Sequence, residues 1–168
     1  MEVYIYHIEK DGETKYFVSI LSNKHVYEHG LSTFSIIGVV ENRVELKPEE
    51  FTPNTAFLNT FHNIIASKML LDSFFIQQAN ELINGVVYMV DGRTKDPKNV
   101  PPEDVIGALK AVDGVLQPNS YQKNFSYKLL TENGFFQIPD EYHLAILEEV
   151  KGSTNSSQNA DNEDPSLN

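Results

Sequence analysis

The chain of 168 residues contains no cysteine. That single absence excludes disulfide staples, thiolate nucleophiles, iron–sulfur clusters and cysteine-bound zinc. Positive charge is scarce: 13 Lys and Arg face 24 Asp and Glu, a net charge of −11. Phosphate backbones and anionic lipid surfaces are held by clustered Lys and Arg, so the expected partners include no nucleic acid and no membrane. No run of about 18 apolar residues occurs, and no membrane-spanning helix is expected. The opening Met1-Glu2-Val3-Tyr4-Ile5-Tyr6-His7-Ile8 has neither a basic start nor a long apolar stretch. It reads as a strand, and the expected location is cytoplasmic. The glycine spacings of a P-loop or a dinucleotide fingerprint are missing, as is the Gly-x-Ser-x-Gly turn that presents a serine nucleophile. No cofactor is implied.

What the chain does hold is material for a core. Hydrophobic residues make up 40%, with ten Phe and eight Tyr but no Trp. Residues 152–168 stand apart, because Ala160 and Leu167 are their only apolar side chains. Such a segment cannot bury enough surface to offset its ordering entropy, so a disordered polar tail is expected there. The tail carries three acids and no base, which leaves eight of the eleven net negative charges on residues 1–151. Those residues are expected to form one domain.

Within that body, residues 3–9 and 15–21 are rich in β-branched and aromatic side chains and flank Asp11-Gly12. Asp-Gly supplies the positive φ angles of a tight turn, so this is a β-hairpin. Residues 34–40 and 43–46 read as a second pair of strands across Glu41-Asn42. After Pro48 the period changes. Phe57, Phe61, Ile64, Ile65, Leu71, Phe75, Ala79 and Leu82 recur at helical spacing, with Asn54 as cap and Gly85 just past the end. One long helix, or two joined near Asp72, fits equally. Over residues 69–76 the apolar character runs nearly all the way round, so this stretch is to be covered on several sides, by the fold or by a second subunit.

Residues 86–90 (Val-Val-Tyr-Met-Val) form a continuous apolar run, the mark of a central strand. Asp113-Gly114 joins two further strands over residues 105–112 and 115–117. A last helix is expected from about Pro139 to Val150, with Asp140 and Glu141 favouring its positive start. Strands and helices are segregated along the chain. The expected class is α+β: a mainly antiparallel sheet of two N-terminal hairpins plus C-terminal strands, packed on the central helix and the C-terminal helix.

One pattern carries potential metal chemistry. His25-Val26-Tyr27-Glu28-His29 matches the His-x-x-Glu-His arrangement of inverted zinc peptidases. There, two imidazoles one helical turn apart grip Zn²⁺ while the glutamate takes a proton from the metal-bound water. Those peptidases are much larger, nothing else in the chain resembles them, and a helix here would span under two turns. An exposed connection between the hairpins is the simpler expectation, and no metal site is assigned to His25 and His29 and no catalytic role to Glu28.

Two loops are candidate binding surfaces. Residues 91–99 leave an apolar strand and concentrate Arg93, Lys95 and Lys98, which suits an anion or a protein partner. Residues 121–136 interleave Tyr121, Phe125 and Tyr127 with Lys123 and Lys128, an alternation able to stack bases. The acidic body opposes that use and favours rings packed over the sheet. The leading functional expectation is therefore a non-enzymatic protein-interaction module, with a homodimer as one form of it. A small metal-dependent hydrolase using His25, Glu28 and His29 is the alternative, and a small-ligand-binding domain the other.

Overall fold

The computed structural model describes residues 2–10, 12–41 and 46–160, the side chains of residues 10 and 153–160 excepted. It is an α+β fold built from two compact units. One comprises residues 1–60 with 143–168, the other residues 61–142.

In the first unit, β1 (Tyr4–Lys10) and β2 (Glu13–Ser19) pair antiparallel as the hairpin signal predicts, and Gly12 takes φ +82° in the turn. β2 also pairs with β3 (Ile36–Val40), and β3 with β4 (Thr52–Pro53), giving one sheet in sequence order. The expected strand at residues 43–46 lies largely outside the described residues, as does Asp11. Between β2 and β3 the connection leaves every residue of its helix unburied, in line with the exposed connection expected there. Residues Asn23–His29 form a helix, α1, because Ser22 accepts a hydrogen bond from the His25 N–H at its start and Gly30, at φ +80°, closes its end. Both local signals suffice for two turns even though α1 buries no residue.

The central helical period resolves into two helices, α2 (Thr55–Met69) and α3 (Ser73–Leu82). Asn54 caps the first by accepting from the Ala56 N–H. Asp72 breaks the run: it sits in extended backbone and its carboxylate accepts from the Phe74 N–H, starting α3. α3 ends on Ile83, not on the glycine two residues later. Ile83 has φ +62° and ψ −67°, and the Asn84 N–H donates to the Leu82 carbonyl at 2.7 Å. That is a γ-turn of positive φ, a strained geometry for a β-branched residue.

The second unit holds β5 (Gly85–Val90), β6 (Val105–Val112), β7 (Val115–Leu116) and β8 (Gln122–Lys123) in one antiparallel sheet, and β9 (Leu130–Thr131) with β10 (Gly134–Phe135) in another. Among the described residues, strands expected in a single sheet are thus shared among three. Asp113 (φ +50°) and Gly114 (φ +78°) make the mirror-image turn that joins β6 to β7. A larger correction concerns β5. Its unbroken apolar sequence predicts a central strand, yet its one partner among the described residues is β6, so it forms an edge. Finally α4 (Asp140–Ala160) continues past Val150, where its apolar stripe ends. The rest of the expected tail, residues 161–168, lies outside the described residues. No helix among the described residues is long and apolar enough to cross a membrane.

Candidate protein-contact site

β5 alternates in the manner of any strand, with Val87 and Met89 buried and Val86 and Tyr88 exposed. α3 runs back along it and contributes buried Phe75 and Ala79. The seam between the two holds a recess of about 640 Å³ towards the Val90 end, walled by Phe74, Phe75, Tyr88, Met89 and Pro139. A second recess of about 360 Å³ lies towards the Val86 end, beside Glu81 and Leu82, and Gln78 borders both. The apolar side chains flanking this seam stay in solvent. Of the side chains lining the recesses, Phe74 is 60% exposed and Tyr88 55%, with Leu82 and Val86 also open; Leu71, at 79%, and Ile76 and Ile83 are exposed elsewhere along residues 71–83. The covering expected for residues 69–76 is therefore only partial: Met69 and Phe75 are enclosed, while Leu71, Phe74 and Ile76 are not. Exposed apolar side chains beside two recesses make the α3–β5 seam the candidate contact surface of this chain.

Polar groups border the seam as well: Asp72, Gln78, Lys95 and Gln137 at the larger recess and Glu81 at the smaller. Lys95, from the first candidate loop, reaches the rim of the larger recess and donates to the Gly92 carbonyl at 2.7 Å. The Asp72 carboxylate is already engaged, by the Phe74 N–H and by the Tyr142 hydroxyl at 2.8 Å. Lys98 is exposed and caps nothing beyond its own turn, its N–H donating to Asp96.

Arg93 takes a different place from its expected one. Its side chain is wholly enclosed, with Nε 3.1 Å from Asp91 Oδ1 and a terminal nitrogen 2.9 Å from Asp104 Oδ1. These two ion contacts are Coulombic, lacking the alignment of hydrogen bonds. The directed bonds go instead to the Lys128 and Gly134 carbonyls and to Thr131 Oγ1. Tyr127 donates to Asp91 at 2.9 Å, Thr94 donates to Asp104 at 2.7 Å, and Arg93 lies 5.9 Å from the centre of the Tyr127 ring. Enclosure, then the Asp91 charge, pushes the Tyr127 hydroxyl well above its ordinary pKa. A buried guanidinium must be neutralised and hydrogen-bonded; here the two terminal nitrogens make directed bonds, while Nε faces the Asp91 charge without one. The cluster clamps three loop segments together, so Arg93 is corrected from a surface contact to an internal strut, while Tyr127 is half-buried and turns its hydroxyl into the cluster. Of the remaining candidates, Phe125 is 89% exposed with Lys123 Nζ 5.3 Å from its ring centre, and Tyr121 is half-buried.

Tyr121 shares a hydrogen bond of 2.8 Å with Nδ1 of buried His62. Burial, aided by the Lys123 charge, lowers the His62 pKa from 6.5 to about 4. The imidazole is thus neutral in the fold. In the unfolded chain it takes up a proton as pH falls below about 6.5, so stability present above that pH declines towards pH 4 and the contribution levels off below. The expected loss between pH 7 and pH 4 is about 1–3 kcal/mol after allowance for screening. Urea midpoints of the parent and His62→Gln measure it, the variant showing a flatter pH dependence.

α1 brings His25 and His29 together, with ring centres 4.7 Å apart, and His29 Nε2 lies 3.8 Å from Glu28. The His25 pKa is lowered, first by burial and then by His29 and Lys151. A catalytic zinc takes three protein ligands and keeps a fourth position open. Among the described residues no three His, Cys, Asp or Glu side chains converge as such a set. The central signal that sequence reasoning passed over is the edge position of β5, which no local pattern encodes. Comparison with known proteins adds no assignment: no family model matches the chain, and neither curated proteins nor solved structures give a match.

Proposed function

We propose that this chain is a non-enzymatic protein-interaction module and that it meets its partner along the α3–β5 seam. The observation that carries this reading is an uncharged edge strand flanked by exposed Phe74, Tyr88, Leu82 and Ile83. Aromatic anchors beside fillable recesses are the usual source of binding energy in protein contacts, and isolated exposed apolar residues are not. Phe74→Glu and Tyr88→Lys change exposed side chains, so both variants are expected to fold. Each is expected to lower partner retention on an affinity column loaded with native-host extract at least tenfold, about 1.4 kcal/mol. Tyr27→Lys, at a position 93% exposed on α1, is expected to retain the same proteins as the parent. Identical retention by all four chains contradicts the reading.

The larger recess favours a second reading. Its volume falls within the range of small-molecule sites, and its walls are mainly apolar with Lys95 at the rim. A ligand-binding domain would carry a discrete added mass in a native mass spectrum of the chain purified from its host. A spectrum showing the bare chain removes that alternative.

A further inference from the structure

β5 presents a contradiction between sequence and position. A continuous apolar strand belongs in the middle of a sheet, where both faces and both edges are covered. Edge strands are normally blunted by charge or proline. β1, an edge in the other unit, obeys this with Glu9, whereas Gly85–Val90 contains no charge and no proline.

The hydrogen bonds on the far side of β6 reveal which groups of β5 are left over. Lys110 accepts from the Gln117 N–H and donates its own N–H to Ser120, and Ile106 accepts from the Asn124 N–H. Residues 106, 108 and 110 therefore turn their backbone groups away from β5. Val86 lies opposite Lys110 and Tyr88 opposite Ala108. In an antiparallel ladder such facing pairs point their N–H and C=O groups in opposite directions. Val86 and Tyr88 thus direct two donors and two acceptors out of the sheet edge, between the exposed side chains of the seam. The regular register ends at an irregularity between Met89 and Val90, so these two residues are the usable part.

We propose that the occupant of this edge is β5 of a second copy, paired antiparallel about a two-fold axis at Val87. This rests on the seam being a protein-contact face and names the partner. Only an antiparallel, self-complementary register uses all four groups of each copy: Val86 faces Tyr88 of the second copy and Tyr88 faces its Val86. Four hydrogen bonds form, and each Tyr88 ring lies beside a valine, a favourable cross-strand pair. Charge along the seam supports the same axis. Lys95 borders the recess at the Val90 end together with Asp72, whose carboxylate is engaged by the Phe74 N–H and the Tyr142 hydroxyl, and Glu81 borders the recess at the Val86 end. The two-fold brings the Val90 end of one copy to the Val86 end of the other, opposing unlike charges twice. Isologous two-fold dimers are the commonest oligomers. With a short paired strand and one helix face, the contact is at the small end of specific interfaces and the dimer concentration-dependent.

Sedimentation equilibrium tests this on the full chain. The mass is expected to rise from 19.0 kDa towards twice that value between about 1 μM and about 1 mM, the span over which weak contacts saturate. Tyr88→Lys is expected to weaken the dimer at least tenfold, whereas Val115→Lys, exposed on β7 at the other side of the sheet, leaves it unchanged. The absence of cysteine makes single-cysteine variants unambiguous. In the stated register the paired α-carbons lie about 5.5 Å apart, inside the span of a disulfide. An equimolar mixture of Val86→Cys and Tyr88→Cys is therefore expected to cross-link more completely than either alone. Equal cross-linking by Tyr88→Cys alone overturns the register, and a constant 19.0 kDa mass overturns the dimer. In the latter case, selective loss of a host protein by Tyr88→Lys leaves the seam reading standing, and unchanged retention removes both.

Discussion

Arg93→Ala is expected to destabilise the second unit by about 3–5 kcal/mol, the cost of leaving buried carboxylates without their counter-charge. The side chain is wholly enclosed between Asp91 and Asp104, and its hydrogen bonds fasten the Lys128 and Gly134 carbonyls. Its removal strands both acids and frees the segment that carries β9 and β10. For a chain of this length the loss corresponds to a fall in Tm of about 6–20 °C, readable by calorimetry. A triple variant that also converts Asp91 and Asp104 to Asn is expected to recover part of the loss, since no unpaired charge then remains inside. Recovery distinguishes an ionic clamp from simple packing around the arginine stem. A surface arginine engaged in binding would show neither effect.

Phe61→Ala is the second large effect, again about 3–5 kcal/mol. Phe61 is fully buried, stacked 5.8 Å from Tyr127 and set edge-on to Phe136 at 5.3 Å and to His62 at 5.4 Å. The cavity removes one wall of Tyr127, whose hydroxyl holds Asp91 and whose ring lies beside Arg93. The two substitutions therefore act on one network. Their urea-derived losses should sum to more than the double variant shows, by roughly 0.5–3 kcal/mol. Strict additivity would mean that the aromatic cluster and the ion cluster are independent.

The elements with local signatures were legible in the chain. Asp11-Gly12 and Asp113-Gly114 announce two hairpins, and Asn54 marks a helix start because a short polar side chain can satisfy a free N–H, whereas at Asp72 the pattern left one helix and two equally fitting. The α+β class follows from their order. What local patterns do not contain is pairing across distance. Nothing in Val86–Val90 shows that, among the described residues, its far side has no strand partner, since edge and centre strands can share one composition. Arg93 illustrates the converse. A basic residue in a polar loop suggests a ligand, but Asp104 and the carbonyls of residues 128 and 134 lie far along the sequence, and only folding shows them enclosing it. Of the candidate residues, Lys95 alone reaches the seam.

The sharpest test of the open edge is residue-resolved amide hydrogen exchange in dilute solution, where copies are apart. Val86 and Tyr88, directed outwards, are expected to exchange at least about a hundredfold faster than Val87 and Met89, which bond to β6. Raising the protein concentration should slow the first pair and leave the second unaltered. Equal, strong protection of all four amides at low concentration would show the edge already closed within a single chain, and the proposed contact face would have no place.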